Sequence, residues 1–246
     1  LISSGQLPYV IAQDPLLAKT KIIAEPWDAR GGYQLGSFAG GRWCEWNGKF
    51  RDDMRRFIRG DDRSATEAAT RMTGSSDLYK ANGRSPVNSV NYITSHDGFT
   101  MNDLVSYNVK HNEENGEGNR DGSDDNFSYN NGFEGDSTNP KIVSVRRRKI
   151  KNFLTCLFLS QGTPMLLAGD EMMRTQQGNN NAYCQDNETS WIDWHCCDKN
   201  RDILLYTKML IELRKAYTLF RRNTFFMDSS EITWYDANGK NPDWAK

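Results

Sequence analysis

The sequence lacks two features that would assign it to a membrane or to nucleic acid: a long apolar run and an excess of positive charge. Its most apolar stretch, residues 153–168, is interrupted by Thr155, Ser160 and Gln161 and falls short of the roughly 18 apolar residues of a membrane span. Its 31 lysines and arginines are balanced by 32 acidic residues, whereas proteins that bind those partners carry a basic excess. We therefore predict no membrane partner and no nucleic-acid partner.

Cysteine is also scarce, and its spacing predicts no disulfide framework. The five cysteines are an odd number without a Cys-x-x-Cys pair, and Cys196 and Cys197 are adjacent. We interpret them as reduced thiols of an intracellular protein, cytoplasmic, or plastidial in a plant or alga. The first residue is Leu1, not Met, and no signal peptide precedes it, so we expect that either processing or truncation produced this start.

What the sequence does contain is an alternation of short apolar segments and longer helical patterns. We predict strands over residues 21–24, 87–94 and 164–168, and helices over residues 50–59, 64–72, 140–161 and 202–217. Strands separated by helices indicate parallel β/α units, so the predicted fold class is α/β. Residues 111–136 lose all periodicity and predict a long polar loop.

Two further segments carry simple predictions. Arg146, Arg147 and Arg148 fall on the polar side of the third predicted helix, so we interpret them as a solvated face. Residues 232–235 have the composition of a strand, and Asn238-Gly239 predicts a turn after it.

The three predicted strands all end in acidic residues. Glu25 follows the first, His96 and Asp97 follow the second, and Asp170 and Glu171 follow the third. Parallel strands present their carboxyl ends at one edge of a sheet, where active sites of such folds lie. Neighbouring aromatic residues provide flat apolar platforms for sugar rings, so the combination favours a carbohydrate site over a metal site.

Glycoside hydrolysis needs one protonated carboxyl and one ionised carboxyl. Glu25 suits the acid role because Pro26 and Trp27 could shield it from water. Asp97 suits the ionised role, and His96 could bind sugar hydroxyls. The alternative for Glu25 is a surface acid that pairs with a neighbouring cation.

Six segments resemble the isoamylase-type glycogen and starch debranching enzymes of the α-amylase superfamily. They are residues 23–28 (Ile-Ala-Glu-Pro-Trp-Asp), 45–47 (Glu-Trp-Asn), 94–100 (Thr-Ser-His-Asp-Gly-Phe-Thr), 119–122 (Asn-Arg-Asp-Gly), 160–171 and 178–187. The resemblance covers about residues 5–220. The segment 178–187 points most narrowly to debranching members and weighs against a glucan branching enzyme.

The resemblance implies a retaining mechanism on a (β/α)8 barrel, with Glu25 as general acid/base and Asp97 as transition-state stabiliser. It implies that the branched α-glucan is bound by a larger set of side chains: His96, Trp27, Trp46, Asp170, Glu171, Asn180 and Tyr183. The family's nucleophile, an Asp on strand four, has no counterpart here. Asp52 lies in a predicted helix and Asp121 in the polar loop, so neither replaces it.

We therefore expect the C-terminal half of a (β/α)8 TIM barrel, strands five to eight, that is inactive without its N-terminal half. The predicted domains are residues 1–222, a partial catalytic barrel, and residues 223–246, the beginning of a C-terminal β-domain. A non-catalytic glucan-binding half-barrel is the alternative from another functional class. We expect no cofactor and no metal site; calcium is the alternative that the oxygen donors of the polar loop leave open, although their spacing is not that of an EF-hand. His111 and His195 are expected at the surface.

Overall fold

Four short parallel strands form the centre of the protein in the computed structural model, which describes residues 5–28 and 30–244. The strands are β1 (Ile23–Ala24), β2 (Cys44–Trp46), β3 (Ser89–Asn91) and β4 (Thr163–Pro164), hydrogen-bonded in that order. Ala24 pairs with Glu45, Trp46 with Val90, and Asn91 with Pro164. The predicted α/β class with a parallel sheet is confirmed.

The sequence patterns missed one of these strands. β2 has only three residues and a charged residue at its centre, Glu45, so it shows no apolar alternation. The predicted strand over residues 164–168 was too long, because its ladder ends soon after Pro164; Met165 still donates its N–H to Asn91 O at 2.8 Å.

The described part of the chain contains eight α-helices. They are α1 (Gln6–Gln13), α2 (Gly48–Arg59), α3 (Ala65–Met72), α4 (Ser76–Tyr79), α5 (Met101–Leu104), α6 (Pro140–Leu159), α7 (Cys196–Lys199) and α8 (Arg201–Ala216). None of the described helices is long and apolar enough to cross a membrane. The predicted helices over residues 50–59, 64–72, 140–161 and 202–217 are confirmed to within three residues at each end.

The main core lies where α2, α5, α6 and α8 pack together. Phe50, Met54, Ile150, Leu154 and Ile203 are all fully buried in it. The start of α6 has the predicted form, with Pro140 at its first position and Asn139 Oδ1 accepting from Lys141 N at 3.0 Å.

The predicted solvated arginine face of α6 is wrong at Arg146. Its side chain is buried and donates to the backbone oxygens of Gly135 (2.6 Å), Asn130 (2.8 Å) and Phe133. These carbonyls belong to the end of the polar loop, so the guanidinium ties the loop to the helix. Five donors on one planar group let arginine satisfy several carbonyls at once, which a polar-face pattern does not reveal.

The predicted strand over residues 232–235 is also wrong, since residues 223–244 form no strand and offer no partner with which to pair. The turn after it is present: Asp236 N donates to Lys240 O at 2.7 Å, and Gly239 N donates to Asp236 O at 3.0 Å. The domain boundary at residue 222 stays a prediction, and residues 1–4, 29, 245 and 246 of the two predicted domains lie outside the described residues.

A buried ion pair holds the connection between β1 and β2. Glu45 is fully buried on β2 and pairs with Arg84, which is almost fully buried. Glu45 also accepts from Gly36 N at 2.5 Å and Phe38 N at 3.0 Å, and Arg84 donates to Gly40 O at 3.0 Å. Both ends of the pair therefore contact the same backbone loop, residues 36–40.

We predict that Arg84→Met destabilises the protein by about 3 kcal/mol, because it leaves the Glu45 carboxylate buried without its cation. Arg59→Met is the matched control: Arg59 pairs with Asp61 at 2.5 Å, but both side chains are about a third exposed. Its loss should cost no more than about 1 kcal/mol. Urea unfolding of the two variants measures the difference, and equal costs would contradict the prediction.

Candidate active site

Glu25, His96 and Asp97 meet at the carboxyl edge of the sheet, as predicted. Glu25 directly follows β1, and His96 and Asp97 lie just beyond β3. His96 Nε2 is 4.0 Å from Glu25 Oε1 and 3.6 Å from Asp97 Oδ1. The side chains of Glu25, His96 and Asp97 are 42%, 61% and 73% exposed, so an incoming ligand reaches all three.

Aromatic side chains flank this group on the side of β1 and β2. Trp46 meets the His96 ring edge-on at 5.7 Å between centroids and packs on buried Tyr92 at 5.5 Å. Trp27 stacks on Tyr33 at 6.2 Å with 14° between the ring planes. Of the predicted sugar-binding residues, Trp46 thus lies beside His96, and Trp27 lies on Tyr33 two residues after Glu25. The support from Tyr92 was missed because it belongs to a strand pattern.

A hairpin-like segment directly after Glu25 presents Trp27. Pro26 has no N–H with which to extend the ladder, so the chain turns away from the sheet. Asp28 Oδ1 accepts from Gly32 N at 3.1 Å, and Gln34 N donates to Pro26 O at 2.7 Å. The shielding of Glu25 that we expected from Pro26 and Trp27 is incomplete, because the Glu25 side chain remains 42% exposed.

A polar cleft of about 290 Å³ opens beside Asp97. Its lining consists of Arg51, Arg55, Asp97, Gly98, Gly122, Ser123, Asp125, Asn126, Asn180 and Asn181. The lining comes from α2, from the turn after β3, from the polar loop and from the segment after β4. Hydrogen-bond donors and acceptors line the same cleft, which suits a ligand with many hydroxyl groups.

Arg55 forms the buried end of this cleft and was not predicted as a site residue. Its Nε donates to Ile93 O at 2.9 Å and its Nη1 to Asn126 O at 3.2 Å, while Nη2 has no partner among the described residues. Burial lowers the pKa of its guanidinium to about 10. Its neighbour Arg51 pairs with Asp52 at 2.6 Å. The sequence signal was a basic face on the predicted helix, which does not distinguish a solvated arginine from a buried one.

Asp170 does not lie where we expected a glucan-binding residue. It is fully buried and accepts from the Thr94 hydroxyl and from Met101 N, the latter at 2.9 Å. Burial raises the pKa of its carboxyl to about 7. Glu171 is half-buried, and its Oε2 accepts from Gly169 N at 2.9 Å. These contacts indicate that Asp170 supports the end of β3 from within, because the strand-end rule locates a residue along the chain but not its depth.

Asp103 provides a second buried carboxyl below the site. It accepts from Thr175 Oγ1 at 2.5 Å and from Gln176 N at 2.8 Å, and burial raises its pKa to about 6. Its own N–H donates to Thr100 Oγ1 at 3.2 Å, as in the cap that begins α5. Asp103 and Asp170 therefore tie α5 to the segment after β4.

The remaining two predicted glucan-binding residues differ in exposure. Asn180 is buried and bonds only to protein groups in the described structure, including Gly98 N, which donates to its backbone oxygen at 2.9 Å. Tyr183 is 68% exposed and donates its hydroxyl to Glu117 Oε1 at 2.8 Å. Only Tyr183 of the two presents a surface on which a sugar could lie.

The polar loop holds no cluster of three or more His, Cys, Asp or Glu side chains that could bind a metal, nor does any other part of residues 5–28 and 30–244. Asp121 accepts instead from Asn115 Nδ2 at 2.7 Å and Asn181 Nδ2 at 2.9 Å, and these bonds hold the pKa of its carboxyl below the ordinary value. His195 is exposed, whereas His111 is half-buried against Tyr107. The five cysteines are free thiols.

Several curated proteins align with almost the whole chain. It is 49% identical to the glycogen operon protein GlgX homolog of Mycobacterium tuberculosis over an alignment of 249 residues. That alignment covers 96% of this chain and 34% of the relative. It is 50% identical to the glycogen debranching enzyme of Serratia proteamaculans and 47% identical to isoamylase 3, chloroplastic, of Oryza sativa, over 92% of this chain and 34% and 29% of theirs. The chain thus spans about a third of the length of these relatives.

Solved pullulanases share its fold. The pullulanase of Paenibacillus barengoltzii in complex with maltohexaose and α-cyclodextrin superposes with a TM-score of 0.60 at 26% identity, over 83% of this chain and 30% of that one. The pullulanase of Bacillus acidopullulyticus gives 0.62 at 21% identity, over 85% and 24%. No family model matches the chain. The resemblance that the six sequence segments predict is confirmed.

We predict that Asp170→Asn weakens the pH dependence of stability. Between about pH 5 and pH 7 the folded protein keeps a proton on Asp170 that the unfolded chain, with its ordinary pKa of 3.8, releases. Stability therefore falls as pH rises through this range, and the variant should lose up to about 1.4 kcal/mol per pH unit of that slope. Urea unfolding at pH 5, 6 and 7 measures both slopes, and parallel curves would refute the titration of Asp170.

Proposed function

We propose that this chain, related over nearly all its length to glycogen debranching enzymes and isoamylase 3, is the C-terminal half of the catalytic barrel of such an enzyme. The whole protein would hydrolyse α-1,6 branch linkages of glycogen, starch or limit dextrin with retention at the anomeric carbon. The observation that carries the proposal is the approach of Glu25 and Asp97 to the same nitrogen of His96, at 4.0 Å and 3.6 Å.

In this mechanism Glu25 protonates the glycosidic oxygen as the bond to the anomeric carbon breaks, and the released chain leaves with the new hydroxyl. The Asp97 carboxylate stabilises the positive charge that develops on the sugar ring. As the glycosidic bond breaks, a nucleophilic carboxylate bonds to the anomeric carbon. Water then displaces this carboxylate from the anomeric carbon, and Glu25 accepts a proton from the attacking water, which restores both carboxyl groups. His96 and Trp46, in contact at 5.7 Å, would bind the hydroxyls and one face of the sugar at the cleaved bond.

The nucleophile would be an Asp from the two thirds of the relatives' length that this chain does not span. Two free strand edges support this arrangement: β1 and β4 each pair on one side only within the described sheet. Four more strands joined to these edges would close a barrel of eight, which leaves no edge exposed. Ile23 on β1 is 49% exposed, as expected of an apolar residue that a further strand would cover in the complete barrel.

The substrate, the reaction type and the location are proposed from the same relatives and sequence segments. The partner is a branched α-glucan, in keeping with the maltohexaose bound by the Paenibacillus pullulanase. Hydrolysis is favoured over glucan transfer because residues 178–187 resemble debranching enzymes. We propose no cofactor, and a cytoplasmic location, or a plastid in a plant or alga.

The test of the proposal is Glu25→Gln and Asp97→Asn in the full-length protein, with release of linear chains from glycogen as the assay. Both changes are nearly isosteric, so they should preserve the fold while lowering kcat by at least about 10³-fold. Binding of maltohexaose should persist in Asp97→Asn, because the charge acts on the transition state. Wild-type rates in Glu25→Gln, or loss of binding with unchanged kcat in Asp97→Asn, would refute these roles.

We also predict that the 246-residue chain by itself does not hydrolyse glycogen, because in this proposal the nucleophile belongs to a segment outside these 246 residues. Loss of a nucleophile costs on the order of 10⁶ in rate in a well-studied hydrolase. The assay compares the purified chain with the full-length protein at equal concentration. Turnover by the chain at rates typical of the full-length protein would contradict both the missing nucleophile and the half-barrel assignment.

A further inference from the structure

Two loops meet beside Asp97 through a pair of buried asparagines. Asn112 lies in the polar loop after β3, and Asn180 in the segment after β4. Asn112 Nδ2 donates to Asn180 Oδ1 at 2.8 Å, and Asn180 N donates to Asn112 Oδ1 at 2.9 Å. Asn112 is completely buried and Asn180 is 1% exposed, so water does not compete for these bonds. We call this pair the asparagine bridge.

The bridge uses the hydrogen-bonding capacity of both side chains within the protein. Asn180 Nδ2 donates to Ser123 O at 2.7 Å and to Asn126 Oδ1 at 2.9 Å, and Asn112 Nδ2 also donates to Asp121 O at 2.9 Å. Both Nδ2 hydrogens of Asn180 are thus donated within the protein, so Asn180, 1% exposed, has no side-chain donor left for a sugar hydroxyl. The role of Asn180 must therefore lie in the protein groups that it holds in place.

What Asn180 holds is the backbone next to Asp97. Gly98 N donates to Asn180 O at 2.9 Å, and Gly98 has φ +97°, a conformation that favours glycine. On the other side, Asp97 N donates to Ser95 Oγ at 3.3 Å. Among the described residues the Asp97 carboxylate contacts only His96, so the direction in which it points depends on its backbone.

The bridge also forms one wall of the cleft beside Asp97. Gly122, Ser123, Asn126 and Asn180 all line that cleft. Gly122 packs so closely that a β-carbon there would overlap Asn180 Oδ1 and lie 2.8 Å from Asn112 Nδ2. A movement of the bridge therefore changes the wall of the cleft and the Gly98 anchor together.

We propose that Asn112 is a positioning residue, which acts through Asn180 and Gly98 to hold the Asp97 carboxylate in its catalytic position. The inference rests on the proposed function of Asp97. Other contacts keep the loops attached without the bridge: His111 N donates to Gly178 O at 2.8 Å, and Arg146 holds the far end of the polar loop. Loss of the bridge should therefore displace Asp97 without unfolding the loop.

The test is Asn112→Asp in the full-length protein, assayed by release of linear chains from glycogen. The variant keeps the acceptor for Asn180 N but replaces the donor with an oxygen that faces Asn180 Oδ1 and Asp121 O. We expect kcat to fall about 10- to 100-fold, the size of effect that misplacement of a catalytic group by about 1 Å produces, with KM within about twofold. Gly122→Ala should act in the same direction, and it replaces Asn112→Asp if that protein does not fold.

Asn131→Asp is the matched control. Asn131 lies in the same loop and donates to Val105 O and Tyr129 O, both at 2.8 Å, but has no contact with the bridge. It should lower the thermal midpoint by less than Asn112→Asp does, because Asn131 is only half-buried, while kcat stays within about twofold of the wild type. Hydrogen exchange of the Gly98 amide gives a readout that needs no activity: it should accelerate in Asn112→Asp and stay unchanged in Asn131→Asp.

Two results would overturn the inference: unchanged kcat in a folded Asn112→Asp protein, whether or not exchange at Gly98 is faster, or a loss of kcat in both variants in proportion to their loss of stability. A wild-type full-length protein that releases no chains from glycogen would overturn the proposed function instead. The two failures can be distinguished, because the positioning role of Asn112 is tested only when the wild-type protein is active.

Discussion

The parallel pairing of four very short strands is the constraint on which the rest of the structure depends. Each strand contributes two or three residues to the ladder, yet all four end at the same edge. This common direction brings Glu25 and Asp97 together, although 71 residues of sequence separate them. A ladder this short cannot order the long connections that follow its strands, so side-chain bonds must hold them.

Buried polar and charged groups perform that task at each connection. Glu45 and Arg84 hold the loop between β1 and β2, Asp170 supports the turn after β3, and the bridge of Asn112 and Asn180 joins the two longest loops. Each group is buried and nearly saturated with partners, which makes its bonds strong and its disruption costly. The exposed carboxylates of the site are thus supported by a layer of interior polar side chains.

Several predictions missed the depth of a polar residue for one shared reason. Asp170 and Asn180 were assigned to the glucan by resemblance, and Arg146 was assigned to a solvated face because charged residues are mostly exposed. All three are buried with hydrogen-bond partners far away in sequence. A sequence pattern shows that a residue is polar. Whether the interior contains a hydrogen-bond partner for it depends on segments that are distant in the sequence. β2 was missed for a related reason. Its three residues show no strand pattern, and they form a strand because they pair with β1 and β3.

The sequence by itself determined the α/β class, the long helices and the strand ends at which Glu25, His96 and Asp97 occur, because periodicity, caps and proline act over a few residues. It also determined the relationship to debranching enzymes, which resides in local segments. Only the tertiary structure decided which polar residues face the cleft and which support it from inside. Depth below the surface is set by contacts between distant segments, and no local spacing encodes it.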